Sequence, residues 1–311
     1  MADKQRVGFI GLGTMGKPMA RRVLLHGGYP LTVYDVVPAP VQELSSVGAT
    51  TATSPRAVAE ASDVVITMLP NSPHVEAAIL GENGVLEGLR PGTIVIDMST
   101  IDPAVTRKVA ARVTEKGARM LDAPVGKSSP AAVDGTLTIM VGGDEATFEE
   151  CRPILSTMGT TIVHCGEVGA GEAMKLTHNL MGCLIVAAVS EGLALGTRAG
   201  LKPDLMLDVI GHSGPSSFHL VNTFPKQVLT GNLEPGFMVD LMYKDLGLIS
   251  AMGSDLGVPL PITNLTREVV SMARQEGLGR LDWTALLTLY EKWAGVQVRL
   301  EGADSADGTR R

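Results

Sequence analysis

Residues 6–35 read RVGFIGLGTMGKPMARRVLLHGGYPLTVYD, and this stretch decides the fold. Arg6–Ile10 is a short hydrophobic strand, and Gly11-Leu-Gly13-Thr-Met-Gly16 follows at once. Lys17–His26 then reads as a helix and Leu31–Tyr34 as a second strand ending at Asp35. A strand, a glycine turn, a helix and a strand within about thirty residues is the context that gives G-x-G-x-x-G its meaning. The glycines allow a tight turn and a close backbone approach to a pyrophosphate, which sits on the free N–H groups at the helix start. Asp35, nineteen residues after Gly16, can accept from both ribose hydroxyls of an adenosine. It would repel a 2′-phosphate, and no arginine follows it in Asp35-Val-Val-Pro. The expected cofactor is therefore NAD, as NADH in the reductive direction, rather than NADP.

The alternation continues outward. Asp63–Leu69, Thr93–Met98 and Arg119–Asp122 read as strands, with helices at Pro55–Ala61, Val75–Ile79 and Pro103–Lys116 between them. Thr136–Val141 and Thr161–His164 extend the sheet. Strands alternating with helices give a parallel sheet covered on both faces, and ligands bind beyond the carboxyl ends of its strands. The residues at those ends are Asp35, Leu69-Pro70-Asn71, Ser99-Thr100 and Pro124 to Ser129.

Gly169–Gly200 (GAGEAMKLTHNLMGCLIVAAVSEGLALGTRAG) then predicts one helix roughly 45 Å long. It is apolar on nearly every face from Leu180 to Leu195, a pattern that implies burial on several sides. Near its start stand Lys175, His178 and Asn179, and the i,i+4 spacing sends Lys175 and Asn179 out on one face. Beyond it, Pro203–Gly211, Phe218–Thr230, Asp240–Leu256, Ile262–Glu276 and Trp283–Ala294 all read as helices. The fold class is thus α/β: an N-terminal Rossmann doubly wound sheet, then an all-α C-terminal domain, joined by a long interdomain helix. The expected boundaries are 1–167 for the nucleotide-binding domain, 168–300 for the helical domain and 301–311 for a disordered tail.

Composition restricts the functional classes. Of 311 residues, 45% are apolar and 19% charged, as in an ordinary globular protein. A net charge of −7 argues against nucleic acid or an anionic membrane as the main partner. No hydrophobic leader follows Met1, and the run Leu180–Val189 is too short to span a bilayer. The three cysteines lie far apart without a CxxC, which points to reduced thiols in the cytoplasm. The six histidines form no ligand motif, so no metal is expected.

The motifs, taken together, resemble the 3-hydroxyisobutyrate dehydrogenase family of β-hydroxyacid dehydrogenases. GFIGLGTMGKPMA, YD, TMLPN, IDMST, DAPV, GTLTIMVGG, GEAMKLTHN and YKDLGL occur in the family's order over almost the whole chain. The segments GENGVLEGL, PVGKSS and PKQVLTGNLEPGFMVDLMYKDLGL are similar to the branch that reduces sulfolactaldehyde. By position, the resemblance implies that Gly11, Leu12, Gly13, Thr14, Met15 and Gly16 hold the pyrophosphate and Asp35 the ribose. It places Leu69 and Pro70 against the cofactor, Thr100 near the nicotinamide, and Lys244 of the KDL motif on the cofactor. Lys175 matches the catalytic lysine and Asn179 the amide that holds substrate, with His178 flanking them. It also implies a homodimer or homotetramer formed through the helical domain.

One departure bears on the substrate. Common family members continue DAPV with Ser-Gly-Gly; here the chain continues Gly126-Lys127-Ser128. That substitution puts a cation and hydroxyls where the anionic end of a small aldehyde or hydroxy acid would bind. A sulfonate suits one cation plus several donors, and a second carboxylate, as in succinic semialdehyde, could use the same groups.

Overall fold

The computed structural model describes residues 4–302, and the chain divides into two compact units, Met1–Leu176 and Thr177–Arg311. The tail expected at 301–311 lies outside the described residues beyond Gly302.

The first unit is built on a nine-stranded sheet: β1 Val7–Ile10, β2 Leu31–Tyr34, β3 Thr50–Thr51, β4 Val64–Thr67, β5 Ile94–Asp97, β6 Arg119–Asp122, β7 Val125–Gly126, β8 Leu137–Gly142 and β9 Gly159–Gly166. Their order is β3-β2-β1-β4-β5-β6-β8-β7, with β9 on β8. The first six run parallel. β8 is antiparallel to β6 and β7, a departure from the all-parallel sheet that alternation predicts. Its cause is the short return after Gly126 through a six-residue helix, which reverses the chain where a longer crossover would have kept it parallel.

The helices of this unit are α1 Gly16–Leu25, α2 Pro38–Ser45, α3 Pro55–Ala61, α4 Ser72–Leu80, α5 Val85–Gly88, α6 Pro103–Thr114, α7 Ser129–Asp134 and α8 Glu145–Leu155, followed by the start of α9 Ala170–Arg198. The period-2 pattern of the strands separates two cores. Val7, Phe9, Val64, Ile66, Ile94 and Ile96 enter one cluster with Met19 and Val23 of α1 and Phe148 and Ile154 of α8. Ile10, Val65 and Val95 enter the other, with Val58 of α3, Val75 and Ile79 of α4 and Val109 of α6. β1, β4 and β5 are buried on both faces, which is why these segments read as continuous apolar runs. Four of these helices, α3, α4, α6 and α8, open on local caps: Ser54 accepts from Ala57 N–H, Asn71 from His74, Asp102 from Ala104 and Asp144 from Thr147.

The second unit comprises the rest of α9, then α10 Pro203–Gly211, α11 Val239–Asp255, α12 Pro261–Gln275 and α13 Leu286–Ala294. Val186, Leu193 and Ala194 of α9 share a core with Met206, Phe224, Val228 and Leu287. The single helix expected over Phe218–Thr230 is instead a π turn at His219–Thr223 and two 3-10 turns, Phe224–Lys226 and Val228–Thr230. Pro225 cannot donate a helical N–H, and Gln227 at φ −115°, ψ −114° breaks the run.

α9 also departs from expectation. Leu176, Cys183, Val186, Ala187, Ser190, Leu193 and Ala194 are buried, a stripe at helical spacing. The other face is apolar but open: Met181 is 60% and Leu195 70% exposed. The helix is apolar all round, yet the chain itself covers one side only. Its 29 residues are long and apolar enough to cross a membrane by length and composition, with 28% of that window buried, so the short run Leu180–Val189 understated the whole element.

Candidate functional site

The strand-to-helix turn after β1 fits a dinucleotide pyrophosphate on its own geometry. Gly11 adopts φ +92°, and a Cβ there would lie 2.3 Å from the Met68 carbonyl oxygen. Gly16 is equally constrained, since a Cβ would stand 1.9 Å from the Gly11 oxygen. Gly13 faces open space, with nothing within 4 Å of a Cβ position. Two glycines close the turn and the third leaves room for a ligand to approach the backbone. Leu12 is buried, whereas Thr14 is exposed and Met15 half-buried.

Asp35 closes this turn from β2. Its Oδ2 accepts from Leu12 N–H at 2.6 Å and its Oδ1 from Val37 N–H at 2.7 Å. Leu69 and Pro70 follow β4, and Leu69 N–H donates to Ser99 Oγ at 2.9 Å. Ser99 Oγ in turn donates to Asp97 Oδ1 at 2.6 Å, which also accepts from Thr67 Oγ1 at 2.8 Å. Burial pushes the fully enclosed Asp97 carboxyl above its usual range. The carboxyl ends of β1, β2, β4 and β5 thus hold Gly11 to Gly16, Asp35, Leu69, Pro70 and Thr100 along one edge of the sheet. Asp97 and Ser99 had no assigned role in the sequence reading; an aspartate inside an otherwise apolar strand was the available signal.

Gly126 is buried at the end of β7, where a Cβ would press to 3.3 Å from Met140. Lys127 is exposed and holds φ +74°, a left-handed conformation that favours glycine. This is the position where common family members have glycine, and occupying it costs a lysine about 1 kcal/mol. Its Nζ donates to the Thr136 carbonyl at 2.6 Å, so one of its three N–H donors is committed within the turn. Ser128 is half-buried at the start of α7.

Lys175 lies in the second turn of α9, only 8% exposed. The helix start is held by β6: Asp122 Oδ1 accepts from Gly169 N–H at 2.7 Å and Oδ2 from Glu172 N–H at 2.8 Å. Burial pushes the Asp122 carboxyl up, against these backbone bonds, which pull it down.

In the second unit Asn179 is buried, and its Nδ2 donates to Asp245 Oδ2 at 2.6 Å. Asp245 Oδ1 lies 3.0 Å from Lys244 Nζ. The Lys244–Asp245 pair is therefore no solvated surface pair, because Asp245 is 2% exposed. Sequence reasoning sees Asp245 only as a solvated neighbour of Lys244 and gives it no site role; the available signal is its i−4, i−3, i+3 and i+4 neighbours Leu241, Met242, Leu248 and Ile249, all apolar. His178 is exposed, its Nδ1 3.0 Å from Asn179 Oδ1. His219 packs edge-on against Trp283, and burial, then the neighbouring His178, pushes its pKa down. Among the described residues no group of three His, Cys, Asp or Glu could hold a metal. Cys151 is buried and its thiol pushed up to about 12, an inert group.

The chain is similar to known dehydrogenases along most of its length. Residues 6–166 match the model of the NAD binding domain of 6-phosphogluconate dehydrogenase, and residues 169–290 that of the NAD-binding domain of NADP-dependent 3-hydroxyisobutyrate dehydrogenase. The chain is 41% identical to 2-(hydroxymethyl)glutarate dehydrogenase of Eubacterium barkeri, over 96% of this chain and 99% of that one. It is 40% identical to 3-sulfolactaldehyde reductase of Escherichia coli, over 95% and 99%. It is 38% identical to the mitochondrial 3-hydroxyisobutyrate dehydrogenase of Homo sapiens, over 92% and 87%. The solved 3-hydroxyisobutyrate dehydrogenase of Mycobacterium tuberculosis, with L-serine, superposes with a TM-score of 0.86 at 32% identity, over 92% of this chain and 98% of that one.

Proposed function

The chain belongs to the 3-hydroxyisobutyrate dehydrogenase family, as an NAD-dependent β-hydroxyacid dehydrogenase, and we propose that it reduces a short anionic aldehyde, 3-sulfolactaldehyde by preference. The observation that carries the reaction is Lys175, a buried lysine whose helix start is fastened to a strand end. The cofactor, held by Gly11 to Gly16, Asp35, Leu69, Pro70, Thr100 and Lys244, supplies the hydride when bound. Lys175 does the protein's part. As an ammonium it stabilises the negative charge growing on the substrate oxygen and donates the proton; as a neutral amine it accepts one in the oxidative direction. Asn179, one turn on, orients the same oxygen or a neighbouring hydroxyl. The carboxylate of Asp35 supports a preference for NAD over NADP, because a 2′-phosphate would meet a like charge.

Lys127, with Gly126, Ser128 and His178, receives the anionic end of the substrate. A sulfonate offers three weakly basic oxygens, matched by an ammonium that keeps two further N–H donors besides the one on Thr136. A dicarboxylate semialdehyde is the second reading, favoured by the relative named for 2-(hydroxymethyl)glutarate. A homo-oligomer belongs to the same reading, in which a second copy covers Met181 and Leu195 on the open face of α9.

The test is an NADH-oxidation assay with sulfolactaldehyde, succinic semialdehyde, methylmalonate semialdehyde and 2-formylglutarate in competition. Sulfolactaldehyde should have the highest kcat/KM, and Lys127→Ala should depress it more than the carboxylates. Equal losses on all four substrates refute the sulfonate reading. Lys175→Ala should lower turnover by about a thousandfold on every substrate while NADH still binds.

A further inference from the structure

Most helices of the first unit that carry a side-chain cap carry it locally, from a residue two or three positions before the bonded N–H. The helix bearing Lys175 is different. The residue before it is Gly169, which has no side chain, and the two N–H groups at its start go to Asp122, 47 and 50 residues earlier. Asp122 is the last residue of β6, fully buried, opposite Asp97 in the parallel register and Gly142 in the antiparallel one.

The fit around this carboxylate is tight. A Cβ on Gly142 would lie 2.5 Å from Asp122 Oδ1 and 2.7 Å from the Gly171 nitrogen. A Cβ on Gly171 would lie 2.4 Å from the Met140 carbonyl and 2.9 Å from Asp122 Oδ2. The strand end and the helix start therefore approach backbone to backbone, with the carboxylate bonded between them. A cap serving stability alone would be less costly as a local, exposed Ser or Asp, since burying a carboxylate costs free energy even when it is hydrogen-bonded. A remote cap does what a local one cannot: it fixes the helix start to the sheet edge where the cofactor turn lies. The first helical turns, and the lysine in them, then inherit the precision of the sheet.

We propose that Asp122 is a positioning residue for catalysis, anchoring the first turn of α9 so that Lys175 is held against the reacting oxygen. This rests on the reading of Lys175 as proton donor. The charge of the carboxylate also suits the positive end of the helix dipole, so Asp122→Asn loses both the charge and one of the two accepting oxygens without changing volume.

The experiment is a double-mutant cycle on the full-length enzyme, with NADH affinity followed by fluorescence. Asp122→Asn should lower kcat roughly 10- to 100-fold, the cost of about 1 Å of misplacement. KM for the aldehyde and Kd for NADH should stay within about twofold. In a Lys175→Ala background the same change should cost about twofold or less, because the group it positions is gone. Asp122→Ser, whose shorter side chain keeps one acceptor but draws it back from both N–H groups, should lose at least as much kcat as Asp122→Asn. Equal fold losses in both backgrounds, or an unchanged kcat, overturn the proposal. So does loss of NADH binding in both Asp122 variants, which would make the carboxylate a determinant of folding alone. If Lys175→Ala itself retains full turnover, the reading of the reaction fails instead, and the two failures are distinguished.

Discussion

The sheet unit and the helical unit differ in where their exposed apolar side chains lie. In the sheet unit, apolar residues are enclosed in two cores and the buried carboxylates Asp97 and Asp122 bond to hydroxyls or backbone N–H groups. In the helical unit, Asp245 takes a lysine and an amide, and large apolar side chains stand open on α9 and α12: Leu195 at 70%, Ile262 at 66% and Leu265 at 68%. Patches of this kind mark surfaces that another molecule covers. In the sheet unit the exposed apolar residues Val36, Val133 and Val163 stand far apart along the chain, whereas in the helical unit they line α9 and α12. Lys175 stands at their junction in sequence, the penultimate residue of the first unit, on the helix that continues as the second.

That contrast can be broken or sharpened by substitution. The largest effect belongs to Lys175→Ala, expected to lower kcat by about a thousandfold, the combined loss of proton donor and charge stabilisation; steady-state NADH oxidation measures it. Next come two core probes. Ile66→Ala, in the centre of the sheet, should cost about 2–5 kcal/mol in urea unfolding. Leu195→Ser should cost no more than about 0.5 kcal/mol if its face is open to water. A loss near that of Ile66→Ala, together with a fall in sedimenting mass, would show that a second copy covers it.

Asp35→Ser should weaken NADH about 10- to 100-fold, from lost bonds to a charged acceptor, and narrow the gap to NADPH in fluorescence titrations. Lys127→Gly relieves the left-handed backbone at about 1 kcal/mol, so its Tm should rise slightly while kcat/KM for the sulfonated aldehyde falls; a drop in Tm would mean that the lost Thr136 contact outweighs the relieved backbone. The smallest expected effect is electrostatic. Burial raises the Asp97 carboxyl above 3.8 in the folded state, so its favourable contribution is present below that value and lost as pH rises through the folded pKa. Relative to wild type, Asp97→Asn should therefore be more stable at pH 8 than at pH 5, as thermal melts at the two values would show.

Much of this was legible in the chain because it depends on neighbours in sequence. The Gly11–Gly16 turn, Asp35, and strands such as Leu31–Tyr34 and Arg119–Asp122 follow from local periodicity and turn chemistry. The i,i+4 relation of Lys175 and Asn179 follows from the helix pitch. The broken segment at Phe218–Thr230 was misread because apolar periodicity masked Pro225, although the proline itself was visible. The antiparallel β8 was hidden by its own apolar pattern, which is the same in either direction.

By itself, then, the sequence determined the glycine turn after β1, most of the succession of strands and helices, and which helix face carries the lysine and the amide. These rest on interactions that span a few residues, where residue type fixes geometry. Tertiary structure alone decided what holds those groups in place: Asp122 on the start of α9, Asp245 between Lys244 and Asn179, and the left-handed turn at Lys127. The Asp122 and Asp245 contacts join residues 47 to 66 positions apart, and strand register with helix packing brings them within 3 Å. The Lys127 turn is set instead by the return of the chain from β7 to β8. The opening of one α9 face is of the same kind, because the composition makes all of it apolar and only the packing of this chain leaves one side uncovered.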